Sequence, residues 1–284
     1  MHQILHTARI TRPRIALQAA LSSVLGSYLS GTHGTHVTIF SANVMIAALV
    51  TGLVCAFGFV INDYHDAAAD SISKPHRSIP AGIVSRRAAL GLAILLATVA
   101  FFLACILGFW SAPAALFLIS LSAAYSLFSL KTEVLLGIGT VAFLTSATVG
   151  YGGLAAGGLS SANVIFMALL FLNQCSLETL YTLEDMPGDA RAAVATTAVR
   201  LGPLATLWLF QVFTLAFLLS CIVPWLLGLT SNIYIVAMLV CTVIPTLLVL
   251  AFVRVTYDKS NVHRARLALR VIRFLSIIPV LLLH

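Results

Sequence analysis

Residues 39–62 read IFSANVMIAALVTGLVCAFGFVIN, and residues 63–70 continue DYHDAAAD. The first stretch carries no charged side chain, and a helix needs about 20 such residues to cross a bilayer. The second holds Asp63, Asp66 and Asp70. An apolar span that ends in a carboxylate cluster predicts a membrane helix with a cation site at its edge. The remaining sequence agrees. Of 284 residues, 60% are hydrophobic and only 9% charged, with a mean hydropathy of +1.04. Soluble proteins carry about a quarter charged residues, so this chain has too little polar surface to solvate a globule. That excludes a secreted disulfide scaffold, a nucleic-acid-binding domain and a soluble Rossmann enzyme. The net charge of +7 then points to cytoplasmic loops.

Working outward, apolar runs fall at 14–31, 39–62, 87–109, 112–130, 134–156, 162–184, 203–228, 232–255 and 265–283. They predict an all-α integral membrane protein with nine transmembrane helices and a single domain over residues 1–284. Arg9, Arg12 and Arg14 beside the first run mimic a leader peptide, but eight further runs favour a retained span. The ninth run carries Arg264, Arg266, Arg270 and Arg273 at its start, and reads as a tilted span or an interfacial helix. With nine crossings, every Lys and Arg falls on one side. They lie at the N-terminus, at Lys74, Arg77, Arg86 and Arg87, and at Lys131. The others are Arg191 and Arg200, then Arg254, Lys259 and the arginines of the ninth run. The loops opposite carry none, so the basic side is expected to be cytoplasmic. Cys55, Cys105, Cys175, Cys221 and Cys241 lie within apolar runs, have no zinc or redox spacing, and are expected to be small buried apolar residues.

All nine acids lie on or near the basic side, which the placement of basic residues does not explain. On a continuing helix Asp63, Asp66 and Asp70 share a stripe and repel one another unless a cation lies among them. Hard divalent ions such as Mg²⁺ take carboxylates together with substrate phosphates. A second cluster reads Glu184-Asp185-Met186-Pro187-Gly188-Asp189, with Tyr181 and Glu178 on the same stripe counting backward. Pro187 and Gly188 are expected to disturb or end the helix there. Glu133 and Asp258 stand apart. Lys74-Pro75-His76-Arg77, with Ile79-Pro80-Ala81-Gly82, suits a lid that brings two cations to a bound diphosphate. Lys131 reads equally as an interface anchor or a phosphate ligand.

At these residues the chain resembles the UbiA-type superfamily of intramembrane aromatic prenyltransferases. Asn62, Asp63, Asp66 and Asp70 match its NDxxDxxxD motif, and residues 74–82 are similar to its KPxRPIPSG loop. Asp185 and Asp189 match its DxxxD motif, followed by Ala198-Val199-Arg200-Leu201-Gly202, while Tyr125 and Lys131 resemble its fourth-helix Tyr-Ser-x-x-x-x-Lys stretch. The resemblance implies a horseshoe of nine helices around a central cavity open to lipid. It implies an isoprenoid diphosphate held by Mg²⁺, with Asn62, Asp63, Asp66 and Asp70 serving one metal and Asp185 and Asp189 another. Asp63, Asp66, Asp185, Lys131 and Arg77 would carry the ionisation; Asn62, Lys74, Arg77, Tyr125, Lys131 and Tyr181 would contact the substrate. An aromatic or other lipophilic acceptor would receive the prenyl group within the membrane. Three positions depart from the pattern. Thr182 stands where many members have a further acid, Pro187 where many have Glu, and Arg12-Pro13-Arg14-Ile15 lacks the Asn of RPxN. Ala67 replaces the Arg of haem- and chlorophyll-modifying members, which argues against a tetrapyrrole acceptor.

Two other functions use the same residues. A UbiA-type terpene cyclase would ionise the diphosphate and close the cation on its own double bonds. A transporter would use the acids as an ion path, although no inverted repeat is visible. Two histidines, His33 and His36, are too few for a metal site and read as part of a flexible loop. Gly150, Gly152, Gly153, Gly157 and Gly158 are read as permitting close helix contact or ending the fifth run.

Overall fold

The computed structural model describes residues 9–30, 41–253 and 258–281; the loop bearing His33 and His36, and Arg254, lie outside them. Every regular element among the described residues is helical. In chain order these are α1 (Pro13–Ser30), α2 (Ala42–His65), α3 (Ala67–Ser73), α4 (Arg86–Leu107) and α5 (Ser111–Leu127). After a 3₁₀ turn (Leu130–Thr132) come α6 (Val134–Ala155), α7 (Ser161–Arg191), α8 (Thr197–Leu226) and α9 (Asn232–Met238). A π turn (Leu239–Val243) leads into α10 (Ile244–Phe252), followed by α11 (Lys259–Leu275) and α12 (Ile277–Val280).

Six helical stretches among the described residues are long and apolar enough to cross a membrane: α2, α4, α6, α7, α8 and Asn232–Phe252. The first, fourth and ninth runs of the sequence are helical too, but differ physically. The helix α1 carries Arg14, Gln18 and four serines. At 17 residues, α5 is short, and α11 carries the arginines. The capping of these helices is visible in sequence. Ser41, Ser85, Ser160 and Ser231 each sit at an N-cap and accept a backbone N–H from the first turn, which satisfies one of the orphan donors there.

The residues divide into two compact units. The first comprises Met1–Lys131, Ala147–Asn163 and Gly188–Val194, and the second Thr132–Ser146, Val164–Pro187 and Ala195–His284. In the first, α2 packs against α1, α4 and α5, with Phe57, Val60 and Ile61 buried against Ala89 and Ala93. The expected close contact at the glycines is present. A Cβ on Gly152 would run directly into the Ser23 carbonyl, and one on Gly26 into that of Val149. Backbones this near can exchange polar contacts: Ser27 Oγ donates to Gly152 O at 2.9 Å and Asn163 Nδ2 to Gly26 O at 2.8 Å. Gly157 and Gly158, at φ 112° and 153°, follow α6 in backbone that suits glycine. In the second unit Leu177, Leu180 and Leu183 of α7 meet Leu207 and Phe210 of α8 and Leu269 of α11.

Two expectations are corrected. The helix α7 does not end at Pro187 but continues to Arg191. A proline withdraws one donor from the ladder, and the flanking turns suffice to carry the helix past it. Nor are the cysteines uniformly buried: Cys175 and Cys221 are, Cys55 and Cys241 are half-buried, and Cys105 is exposed. Cys105 shares α4 with the exposed Phe102 and Ile106. In a membrane chain an apolar side chain needs no protein around it.

Candidate active site

The first unit gathers the leading motif. Helical hydrogen bonding persists through the bend at Asp66: Asp66 N–H reaches Asn62 O, Asp70 N–H reaches Asp66 O, and Lys74 N–H reaches Asp70 O, each at 2.8 Å. The three aspartates therefore stay about a turn apart, as their spacing predicts. Their side chains are only 10%, 12% and 7% exposed, so each needs a partner. Asp63 Oδ1 accepts from Arg12 at 3.1 Å and from Arg77 at 3.2 Å. The same Arg77 nitrogen donates to Asp70 Oδ2 at 2.6 Å. Asp66 pairs with Lys131 through one oxygen and accepts from Asn62 Nδ2 at 2.7 Å through the other. Three cations thus match three carboxylates, in a chain Arg12–Asp63–Arg77–Asp70 and a pair Lys131–Asp66.

Local structure fixes those cations. Lys74 caps α3, and the following residues form hydrogen-bonded turns, with Ala81 N–H on Arg77 O at 2.9 Å. Ile79 and Val84 are buried in the unit's core, so the segment is anchored directly after Arg77. Lys131 sits in the 3₁₀ turn after α5, whose last turns carry the half-buried Tyr125.

Arg12 was not among the residues expected at the site. Its φ of 48° is left-handed, a conformation costing about 1–3 kcal/mol outside glycine. That turn lays its guanidinium 4.3 Å from the centre of the Phe59 ring and onto Asp63. Burial pulls its pKa below the ordinary guanidinium value, and the Asp63 carboxylate opposes that pull. The one signal in sequence was the Arg12-Pro13 pair, since its partner lies 51 positions away.

Could this donor set take a metal? Among the described residues no three His, Cys, Asp or Glu side chains converge closely enough to form a cage. Mg²⁺ does not require one: it is held by one or two carboxylates and completes its shell with water and phosphate oxygens. Asp63 and Asp70 already meet on a single cationic nitrogen, and the donors are hard oxygens, so the residues fit the ion.

The second unit holds Asp185 and Tyr181; Asp189 falls in the first, where its carbonyl accepts from Val194 N–H at 2.9 Å. Tyr181 does not stand alone on its stripe. The ring lies 5.0 Å from the Arg266 guanidinium and 5.2 Å from that of Arg270, and its hydroxyl accepts from Arg270. Glu184 takes Arg266 Nε at 2.8 Å and faces His263 Nδ1 at 3.0 Å. Arg273 donates to Asn173 Oδ1 at 2.9 Å and to Gln174, which in turn donates to Glu178 at 2.6 Å. Three of the four arginines of the ninth run, Arg266, Arg270 and Arg273, therefore face α7.

The profile of the UbiA prenyltransferase family matches residues 19–278. The digeranylgeranylglyceryl phosphate synthase of Korarchaeum cryptofilum is 34% identical over 229 residues, covering 79% of this chain and 78% of its own. That of Thermococcus kodakarensis is 30% identical, covering 96% of this chain and 95% of its own. In fold, the chain resembles a solved digeranylgeranylglyceryl phosphate synthase with a TM-score of 0.79 at 20% identity, over 100% of this chain and 99% of that one. It also resembles a UbiA homologue from Archaeoglobus fulgidus bound to GPP and Mg²⁺, with a TM-score of 0.72 at 16% identity, over 97% and 99%. The chain belongs to the UbiA prenyltransferase family. It is an integral, multi-pass membrane enzyme that transfers prenyl groups.

Proposed function

We propose that the protein joins the prenyl group of an isoprenoid diphosphate to a free hydroxyl of a phosphorylated glycerol lipid. The observation that carries this reading is the pairing of Asp63, Asp66 and Asp70 with Arg12, Arg77 and Lys131. The acceptor follows from the relatives, whose name describes a glyceryl phosphate bearing two geranylgeranyl groups. A glycerol lipid falls among the aromatic or other lipophilic acceptors that the resemblance implies, with a hydroxyl oxygen as the nucleophile.

Asn62, Asp63, Asp66 and Asp70 would hold one Mg²⁺, and Asp185 and Asp189 a second. A metal held there would supply positive charge to the departing diphosphate. Arg12, Arg77 and Lys131 supply N–H donors for the same oxygens, preorganised by Phe59, by the anchored loop and by the 3₁₀ turn. Lys74, Tyr125 and Tyr181 complete the substrate contacts. The allylic C–O bond to diphosphate breaks, the hydroxyl oxygen forms the new C–O bond, and its proton leaves to a carboxylate or to the diphosphate. Apolar helices keep water from the allylic cation. The chain acts as one functional domain with nine crossings, its basic loops and acidic motifs on the cytoplasmic side.

The test uses the full chain in lipid nanodiscs with Mg²⁺ and geranylgeranyl diphosphate. Diphosphate release and extracted products are followed with and without a phosphorylated glycerol ether. An ether adduct whose formation tracks release is expected. Release without acceptor, giving a cyclic hydrocarbon or alcohol, would replace the transferase with a cyclase. No release with any diphosphate would remove both.

A further inference from the structure

Along the second unit, α11 turns His263, Arg266, Arg270 and Arg273 toward α7, and the acids that meet them are fewer. Glu184 is taken by Arg266 and His263. Glu178 is hydrogen-bonded by Gln174, and Arg273 is satisfied by the amide oxygens of Asn173 and Gln174. Arg270 stands between these pairs, half-buried, with a tyrosine hydroxyl as its hydrogen-bond partner and the face of the same ring beside it. A tyrosine ring holds a cation in place without neutralising it. Two guanidiniums gripping one ring repel each other, and the carboxylate whose charge reaches Arg270, that of Glu178, is shared with Arg273 and already hydrogen-bonded by Gln174, so Arg270 is placed to serve a ligand.

We propose that Arg266 and Arg270, held around Tyr181, bind the phosphate of the acceptor, a phosphomonoester on glycerol. The proposal rests on the acceptor reading above. A guanidinium offers a planar fork of N–H donors that matches phosphate oxygens two at a time, and a phosphomonoester brings close to two negative charges to a surface with surplus positive charge. Tyr181 lies four residues before Asp185, about 6 Å of helix rise. That is comparable with the reach from a phosphate to the next hydroxyl along glycerol, so a phosphate anchored here sets the nucleophilic oxygen at the level of Asp185. Phosphate on a bulk phospholipid offers related chemistry, and the test separates the two sources.

Acceptor KM is measured in zwitterionic nanodiscs for a geranylgeranyl glycerol ether with and without its phosphate, using wild type, Arg270→Gln and Arg270→Lys. Binding of inorganic pyrophosphate with Mg²⁺ checks that each variant is folded. Arg270→Gln is expected to raise KM for the phosphorylated ether about 30-fold or more and to erase its advantage over the phosphate-free one, with Arg270→Lys between. An unchanged KM in a variant that still binds pyrophosphate, when wild type prefers the phosphorylated ether, overturns the site and leaves the acceptor reading standing. If wild type itself shows no use of either ether while prenylating another acceptor, the acceptor reading fails and the site falls with it. If phosphatidylglycerol added to the discs competes as well as the phosphorylated ether does, the site serves bulk lipid and the proposal is overturned.

Discussion

At α2 and α3 three carboxylates are matched by three cations; along α7 and α11 cations outnumber carboxylates, and amides and a tyrosine make up the difference. The two arrangements suit different ligands. A balanced cluster stays balanced only if an incoming polyanion arrives with its own cations, the metals drawn to the carboxylates while the arginines and lysine turn to the phosphate oxygens. A surface with surplus positive charge accepts an anion alone. Metal dependence should therefore belong to the aspartates, those of α2 and α3 with Asp185 and Asp189, and not to the seam of Arg266, Arg270 and Tyr181.

The largest effect should come from breaking the balanced cluster. Asp63→Ala and Asp66→Ala are each expected to slow diphosphate release about 10³-fold or more, and chelation of divalent ions should stop release in wild type until Mg²⁺ is restored. Arg273→Leu, in the other region, should leave release within about tenfold and act on stability, by about 1–3 kcal/mol, because Asn173 and Gln174 lose their donor. Equal losses from both changes would erase the distinction. Next, Arg12→Ala should weaken binding of pyrophosphate with Mg²⁺ about 10- to 100-fold in a titration. Arg12→Lys should recover little of that, since an ammonium cannot both lie flat on Phe59 and fork to Asp63. Full recovery by lysine would make Arg12 a simple point charge. Gly152→Ala touches neither region; it should cost about 1–3 kcal/mol by overpacking against Ser23, seen as a lower Tm. The smallest effect is expected from Glu184→Gln. Its pairs with Arg266 and His263 are partly exposed, and about 1 kcal/mol or less should be lost on thermal unfolding.

Much of the balanced cluster was legible because its parts are close in sequence. Helical spacing aligned Asp63, Asp66 and Asp70, and the loop at 74–82 brought Arg77 within reach of two of them. The clustering of Gly150, Gly152 and Gly153 made Gly152 readable as a contact residue, though not its distant partner Ser23. Arg12 was not legible: its partner is contributed by another helix, and nothing local announces its left-handed backbone. The seam of α7 and α11 was half legible. The arginines at the start of the ninth run marked it as a tilted or interfacial helix, but which helix Arg266, Arg270 and Arg273 face depends on packing. The proline in α7 misled in the other direction, because local chemistry at Pro187 predicted an ending that the surrounding turns overrode.

The most direct measurement is a calorimetric titration of Mg²⁺ into the full chain in nanodiscs, with and without a thiolodiphosphate analogue that does not ionise. If Arg12, Arg77 and Lys131 must exchange partners before the aspartates take metal, Mg²⁺ should bind weakly alone, and metal and analogue should each tighten the other by about tenfold or more. Tight Mg²⁺ binding that is indifferent to the analogue would contradict the exchange.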